Sequence, residues 1–192
     1  IAGEAKGHPL LAPKGSATRP TADKVKGAMF SMIEALMMAA SPDGVARWGG
    51  LCVLDLYAGS GALGIEALSR GASWADFVES GSGACGAISG NLARTKLASR
   101  AKVHCVPVRR ALSEVYLGRL AIPYDIVFMD PPYADPVVPE VLEELGKAML
   151  VKPGGLLVVE HSRRMSLQDS YGPLVLIKSR RHGDTCISLY ER

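Results

Sequence analysis

Asp130, Pro131, Pro132 and Tyr133 stand consecutively in this 192-residue chain and offer a carboxylate, rigid peptide carbonyls and an aromatic face at one point. A double proline cannot continue a central strand, because each ring fixes φ and removes an N–H donor, so the four residues form a stiff turn just beyond a sheet. Such a turn suits a flat heteroaromatic ring bearing an exocyclic amine. Tyr133 stacks on the ring, while Asp130 and the Pro131 carbonyl accept hydrogen bonds from the amine and orient its lone pair. Chemistry on a base amine also requires the base to leave its stack and enter a pocket.

A second constellation is Val53-Leu54-Asp55-Leu56-Tyr57-Ala58-Gly59-Ser60-Gly61-Ala62-Leu63-Gly64, an apolar run that passes into a glycine-rich turn. Glycines let backbone approach a ligand closely, and a helix starting near Ala62 aims its free N–H groups at that ligand. Gly59, Gly61 and Gly64 fit the G-x-G-x-x-G spacing, which by itself is shared by nucleotide folds of several kinds. Glu79 follows Gly61 by 18 residues, near the ~20-residue spacing at which an acid meets ribose hydroxyls; taken alone it serves equally as a surface acid at a strand end.

These groups need a scaffold, and the hydrophobic pattern supplies one. Apolar positions Val25, Ala28, Met29, Met32, Ile33, Leu36 and Met37 recur at helical spacing after a possible N-cap at Thr21, and Ser41-Pro42-Asp43-Gly44 ends that helix. Strands are expected at 51–56, 74–79, 102–108, 125–129 and 156–160, with helices following Ala62 and over 84–97, 111–117 and 138–149 between them. Pro153-Gly154-Gly155 closes the last helix, and 174–178 with 185–190 reads as a hairpin turned at Gly183. The pattern predicts an α/β fold: a seven-stranded, mostly parallel Rossmann-like sheet with helices on both faces and a C-terminal antiparallel hairpin. Ligands of such sheets sit beyond the carboxyl ends of the strands, where the glycine turn, Glu79 and Asp130 to Tyr133 all fall. Residues 1–20 read as a basic arm or hairpin and residues 21–192 as the single main domain.

Composition limits the function classes. With 48% hydrophobic residues the chain supports one core, and a net charge of +3 is compatible with a polyanionic partner without demanding one. No apolar run reaches the ~18 residues of a membrane span, and no signal-peptide pattern opens the sequence at Ile1. Cys52, Cys85, Cys105 and Cys186 are scattered, which reads as reduced, mostly buried thiols of a cytoplasmic protein. His8, His104, His161 and His182 show no ligand spacing, so no metal is expected.

The glycine turn, the acid after the second strand and Asp130-Pro131-Pro132-Tyr133 resemble S-adenosylmethionine-dependent methyltransferases that modify exocyclic amines. More narrowly, the stretch Gly15 to Phe30, the Asp-Pro-Pro-Tyr turn and His182-Gly183-Asp184-Thr185 with Tyr190 resemble the RsmD-like family, bacterial enzymes that methylate N2 of a guanine in 16S ribosomal RNA. The resemblance implies a class I methyltransferase fold and S-adenosylmethionine as cofactor. It implies that Asp55, Ala58, Gly59 and Gly61 cradle the methionine and ribose, that Glu79 holds the ribose hydroxyls, and that Thr21 closes over the cofactor. Asp130, Pro131 and Tyr133 would take the target base. Arg19, Lys24, Arg163 and Arg164 would grip the backbone of ribosomal RNA or of the small ribosomal subunit, with a monomer as the acting form; the alternative acceptor is DNA, at adenine N6 or cytosine, and the Asp-Pro-Pro-Tyr turn serves adenine N6 as well as guanine N2. One place departs from the family: the acid expected after the third strand, opposite the cofactor adenine, is replaced by Val108-Arg109-Arg110-Ala111, and Arg110 has no acceptor to offer.

Three rival classes fit less well. A nicotinamide oxidoreductase shares the glycines and Glu79 but lacks a second domain and leaves Asp130 to Tyr133 without a role. Methylation at cytosine C5 needs an activated cysteine, and none of the four cysteines follows a proline. A non-catalytic RNA binder would have no use for an intact glycine turn beside the Asp-Pro-Pro-Tyr turn.

Overall fold

The computed structural model describes residues 2–12, 20–113, 118–120, 123–132 and 135–192, with residues 20–23 described as backbone. Five helices and eight strands follow one another along the described chain. They are α1 (Pro20–Ala40), β1 (Cys52–Leu56), α2 (Ala62–Arg70), β2 (Trp74–Glu79), α3 (Ser82–Arg94), β3 (Ala101–Cys105), α4 (Val108–Ala111), β4 (Tyr124–Met129), α5 (Val138–Ala148), β5 (Val151–Ser162), β6 (Ser170–Tyr171), β7 (Leu174–His182) and β8 (Thr185–Glu191). The strands form one sheet in the order β3-β2-β1-β4-β5-β8-β7-β6. Strands β1 to β5 run parallel, while β8, β7 and β6 join antiparallel. The eighth strand beyond the expected seven is β6, two residues that pair with Val175 and Leu174 and are too short to carry a periodic signal.

Alternation along the strands divides the core. Val53, Phe77, Ile126, Phe128 and Val158 pack with α1, α2 and α3 on one face. Leu54, Leu56, Val127, Met129 and Val159 pack with α4 and α5 on the other. Both faces of β1 and β4 are therefore covered, as near-continuous apolar strands require.

Two strand limits depart from the pattern for physical reasons. Strand β3 stops at Cys105, short of Val108, because Pro107 cannot join the ladder and instead precedes the first turn of α4. Strand β5 begins at Val151, upstream of Pro153-Gly154-Gly155. Register jumps from Tyr124↔Val151 to Ile126↔Leu156, so the proline and glycines form a bulge inside the strand. Glycine is needed at Gly155, where a Cβ would lie 2.9 Å from the Asp125 carbonyl.

The described N-terminal residues are docked on the main body. Gly3–Ala5 forms a 3-10 turn, the Ala2 N–H donates to Glu66 (3.0 Å) and the Ala5 N–H to Ser69 Oγ (2.8 Å). Further along, the Leu11 N–H donates to Asn91 Oδ1 (2.8 Å) and Asn91 Nδ2 returns a bond to the Leu11 carbonyl (3.0 Å). The thiols also differ from expectation: Cys85 is buried, but Cys105 is exposed because β3 is the edge strand, and Cys52 and Cys186 are half-buried.

Candidate active site

The site is built at the carboxyl ends of β2, β1, β4 and β5, which lie side by side in that order. Parallel pairing sets Leu56 against Val78 and Met129, and Met129 against Val159. One residue further on, the chain places Glu79, Tyr57, Asp130 and Glu160 in a row along one rim of the sheet. Asp55 lies one layer beneath them.

Tyr57 opens the glycine turn at φ 59°, a left-handed conformation uncommon for an aromatic residue, and Gly59 (57°) and Gly61 (79°) continue it. The turn is fastened from both sides. The Ala58 N–H donates to the Val78 carbonyl (3.1 Å), and the Gly61 N–H to the Ala58 carbonyl (2.6 Å). A Cβ on Gly59 would have only the Tyr57 carbonyl within 4 Å, so space beside this backbone is open. At Gly64 the reverse holds: a Cβ would stand 2.4 Å from the Phe77 ring, and the missing side chain is what lets α2 lie close on β2.

Carboxylates hold this turn in place. Asp55, 1% exposed, accepts from the Gly64 N–H (2.9 Å) in the first turn of α2. Burial drives its carboxyl well above the usual carboxylate range; the Gly64 bond opposes that shift, and the nearby charges of Asp130 and Glu79 add to it. Glu79 is half-buried at the mouth of the turn. Its Oε2 accepts from the Gly59 N–H (2.9 Å) and its Oε1 from the Gly81 N–H (2.8 Å). The Ser80 hydroxyl adds a longer bond to Oε1 (3.4 Å); a carboxylate offers about four acceptor positions, so Glu79 still has capacity to meet a ribose hydroxyl.

The base-side residues follow β4. The Asp130 N–H extends the ladder to the Leu56 carbonyl at 3.5 Å, Pro131 is buried, and the Asp135 N–H closes the turn onto the Pro132 carbonyl (3.1 Å). Solvent reaches Asp130, yet the surrounding strand ends desolvate its carboxyl enough to push it up to about 6. Tyr133 and Arg19 lie outside the described residues, as does the side chain of Thr21, whose backbone is in the first turn of α1.

The basic positions divide into committed and available groups. Lys24 is exposed on α1, and Arg163 and Arg164 are exposed just past β5. The Arg163 N–H donates to the Asp184 carbonyl (2.9 Å) and its guanidinium pairs with the Asp184 carboxylate (3.0 Å), which ties the β7–β8 turn to the end of β5. Exposed Arg180 and Arg181 therefore share the rim with Arg163 and Arg164. Arg109 is exposed but already paired, to Glu144 (2.7 Å) and Glu140 (3.2 Å) on α5.

Two residues absent from the sequence-based site belong to its construction. Asn91, fully buried, donates to the Ser60 carbonyl (2.9 Å) in the glycine turn while clasping Leu11, so one side chain joins the turn to the N-terminal segment. Glu160 stands beside Asp130 on β5, and burial together with the Asp130 charge pushes its carboxyl up to about 8. An acid at the end of the expected strand 156–160 is the same signal that singles out Glu79, but nothing in the sequence sets Glu160 beside Asp130. A roomy groove of about 430 Å³, lined by Leu36, Met37, Leu156 and Ile177 among others, lies toward the opposite end of the sheet and gathers few polar groups.

The family model described as Conserved hypothetical protein 95 matches residues 1–191. The chain belongs to this family. It is the RsmD family that the three motifs resemble. Among relatives, "Putative rRNA methyltransferase YlbH" of Bacillus subtilis is 34% identical over 192 residues, covering 100% of this chain and 97% of that one. Ribosomal RNA small subunit methyltransferase D of Escherichia coli is 29% identical, covering 100% and 88% respectively. A solved hypothetical protein of Thermus thermophilus superposes with a TM-score of 0.78 at 29% identity, covering 100% of this chain and 97% of that one. The family signal spans the arm, the glycine turn and the hairpin together, which fits an architecture in which Asn91 and Arg163 join those parts.

Proposed function

We propose that this protein transfers a methyl group from S-adenosylmethionine to the exocyclic N2 amine of a guanine in small-subunit ribosomal RNA, acting in the cytoplasm. The observation that carries the reading is the adjacency of two sites on neighbouring strand ends. A glycine turn open at Gly59, with a partly satisfied Glu79 beside it, lies on β1 and β2, and a carboxylate followed by two prolines lies on β4. The relatives named as ribosomal RNA methyltransferases support the choice of acceptor.

The residues present fit the cofactor. Glu79 has acceptor capacity left for a ribose hydroxyl, the Gly59 backbone leaves room for a ligand, and α2 points its N-terminus toward the turn. When bound, S-adenosylmethionine supplies a methyl group on a sulfonium, which departs as a neutral thioether. The chain's own work is positioning. Asp130 and the Pro131 carbonyl accept from the two amine hydrogens and turn the nitrogen lone pair toward the cofactor side of the rim. The nitrogen that gains a carbon must give up a proton, and the Asp130 carboxylate is the acceptor in place. Exposed Arg164, Arg180 and Arg181, with Arg163 held by Asp184 beside them, bring positive charge to this rim suited to an RNA backbone.

The test is incubation with methyl-labelled S-adenosylmethionine and, in parallel, small ribosomal subunits, naked 16S RNA and duplex DNA, followed by nucleoside mass analysis. N2-methylguanosine from a ribosomal substrate is expected, and label confined to DNA refutes the acceptor. Asp130→Asn is expected to lower turnover at least a hundredfold while the affinity for S-adenosylhomocysteine stays within about twofold, since general-base and positioning roles are worth about 10²–10⁴ in rate.

A further inference from the structure

Near its carboxyl end strand β5 carries a second carboxyl group, Glu160, for which the transfer described above has no task. Glu160 is the β5 neighbour of Asp130, since Met129 pairs with Val159 and parallel strands lie about 4.8 Å apart. Residues two apart share a face, so Glu160 lies with Val158, and Asp130 with Phe128, on the α1 to α3 side of the sheet. Glu160 is half-buried and accepts no hydrogen bond from any described residue, unlike Glu79, which accepts from Gly59 and Gly81. Neither carboxyl accepts a hydrogen bond from a described residue, and two carboxyls this close cannot both ionise without repulsion; Asp130 is open to solvent while Glu160 is half-buried, so Glu160 is the one that keeps its proton.

We infer that Glu160 is a second base-contacting residue, a neutral carboxyl that donates a hydrogen bond to the ring nitrogen flanking the target amine while the Asp130 carboxylate accepts from the amine itself. The inference rests on the methyltransferase reading and deepens it. An acceptor beside a donor is the complement of an amine beside an imine-type ring nitrogen, the pattern presented by the N2–N3 edge of guanine. Two carboxylates side by side would repel that ring nitrogen's lone pair, and two apolar groups would leave both base atoms unpaired. The same arrangement of a neutral acid next to an ionised one divides roles between carboxyls in other catalytic sites.

The charges around Glu160 favour this division. Strand β4 presents Asp130, and Asp55 on β1 lies beneath, close enough that the two acids influence each other. Strand β8 presents uncharged Ile187 opposite Glu160, and Arg180 of β7 lies one strand beyond in register. On α1, Lys24 is exposed and Lys26 is drawn to Glu66. His161 is directed away, to Ser188 Oγ at 2.9 Å. With Asp130 pushed up to about 6 and Glu160 to about 8, the pair carries one proton and one charge across neutral pH.

The experiment combines carboxyl-carbon NMR titration of the ligand-free protein with pH–rate profiles on small ribosomal subunits. The wild type is expected to show an acid limb near 6 and an alkaline limb near 8, with rate falling about tenfold per pH unit beyond each. Glu160→Gln keeps a donor that cannot ionise, so its acid limb remains and its alkaline limb disappears. Glu160→Ala loses about three- to tenfold in kcat at neutral pH, while calorimetry finds S-adenosylhomocysteine affinity unchanged. A Glu160 carbon that titrates below pH 6, or an alkaline limb that survives in Glu160→Gln, overturns the assignment. Failure of the wild type to bind S-adenosylhomocysteine overturns the methyltransferase reading and the Glu160 role with it.

Discussion

Replacing Gly64 by alanine tests the packing that sets the glycine turn. Gly64 does not have positive φ, so its backbone accepts any residue, and the constraint is steric alone. The new Cβ would stand 2.4 and 2.6 Å from two carbons of the Phe77 ring, roughly 1 Å inside ordinary carbon contact. Phe77 is fully buried in the core beneath α2 and has no room to retreat. Overpacking costs about 1–3 kcal/mol, and so short a contact with a fully buried ring falls in the upper part of that range, about 2–3 kcal/mol. Alanine recovers about 0.8–1 kcal/mol of helix propensity, which leaves a net loss of about 1–2 kcal/mol. With a urea dependence of about 2 kcal/mol per molar, the unfolding midpoint should fall by about 0.5–1 M. Shortening the ring relieves the clash, so Gly64→Ala made in a Phe77→Leu background should cost less than about 0.5 kcal/mol or become favourable. An unchanged midpoint for Gly64→Ala, or an equal loss in both backgrounds, would falsify the claim that close helix–strand packing is why glycine stands there.

Other perturbations address neighbouring parts. Glu79→Gln should weaken S-adenosylhomocysteine binding about tenfold to a hundredfold by calorimetry, because hydrogen bonds to a charged acceptor are worth about 1.5–3 kcal/mol; affinity within twofold of wild type removes Glu79 from the ribose contact. Tyr124→Phe deletes the 2.5 Å bond that the buried phenol donates to Asp76, whose other oxygen meets His104 at 2.9 Å. A loss of about 1–3 kcal/mol in chemical denaturation is expected, with S-adenosylhomocysteine affinity unaffected; a neutral effect would show that the buried network does not stabilise the fold.

Much of this architecture is legible in the chain because local and long-range demands agree. The run Val53 to Leu56 is apolar on both faces since helices cover both, and Gly59 and Gly61 are glycines because the turn that follows needs left-handed backbone. The hairpin is legible for the same reason, with Gly183 at φ 65° between β7 and β8. What escapes is whatever depends on which strand neighbours which. Glu160 acquires meaning only once β5 is known to lie beside β4, and Asn91 only once the N-terminal segment crosses α3. Cys105 reads as buried until β3 proves to be the sheet edge. Arg109 and Arg110 look alike in sequence, but the placement of α5 gives Arg109 two carboxylate partners.

The bonds that Glu79 accepts from the Gly59 and Gly81 amides have a thermodynamic meaning beyond geometry. A glycine turn is the most entropically expensive backbone to order, and a loop that ordered only on meeting its ligand would subtract that cost from affinity. Here the carboxylate does the ordering during folding and still keeps lone-pair capacity for an incoming hydroxyl. Cofactor association should therefore resemble docking onto a rigid surface, with a small heat-capacity change and little gain in amide exchange protection at Gly59. The flexibility that turnover requires then belongs to other segments of the chain.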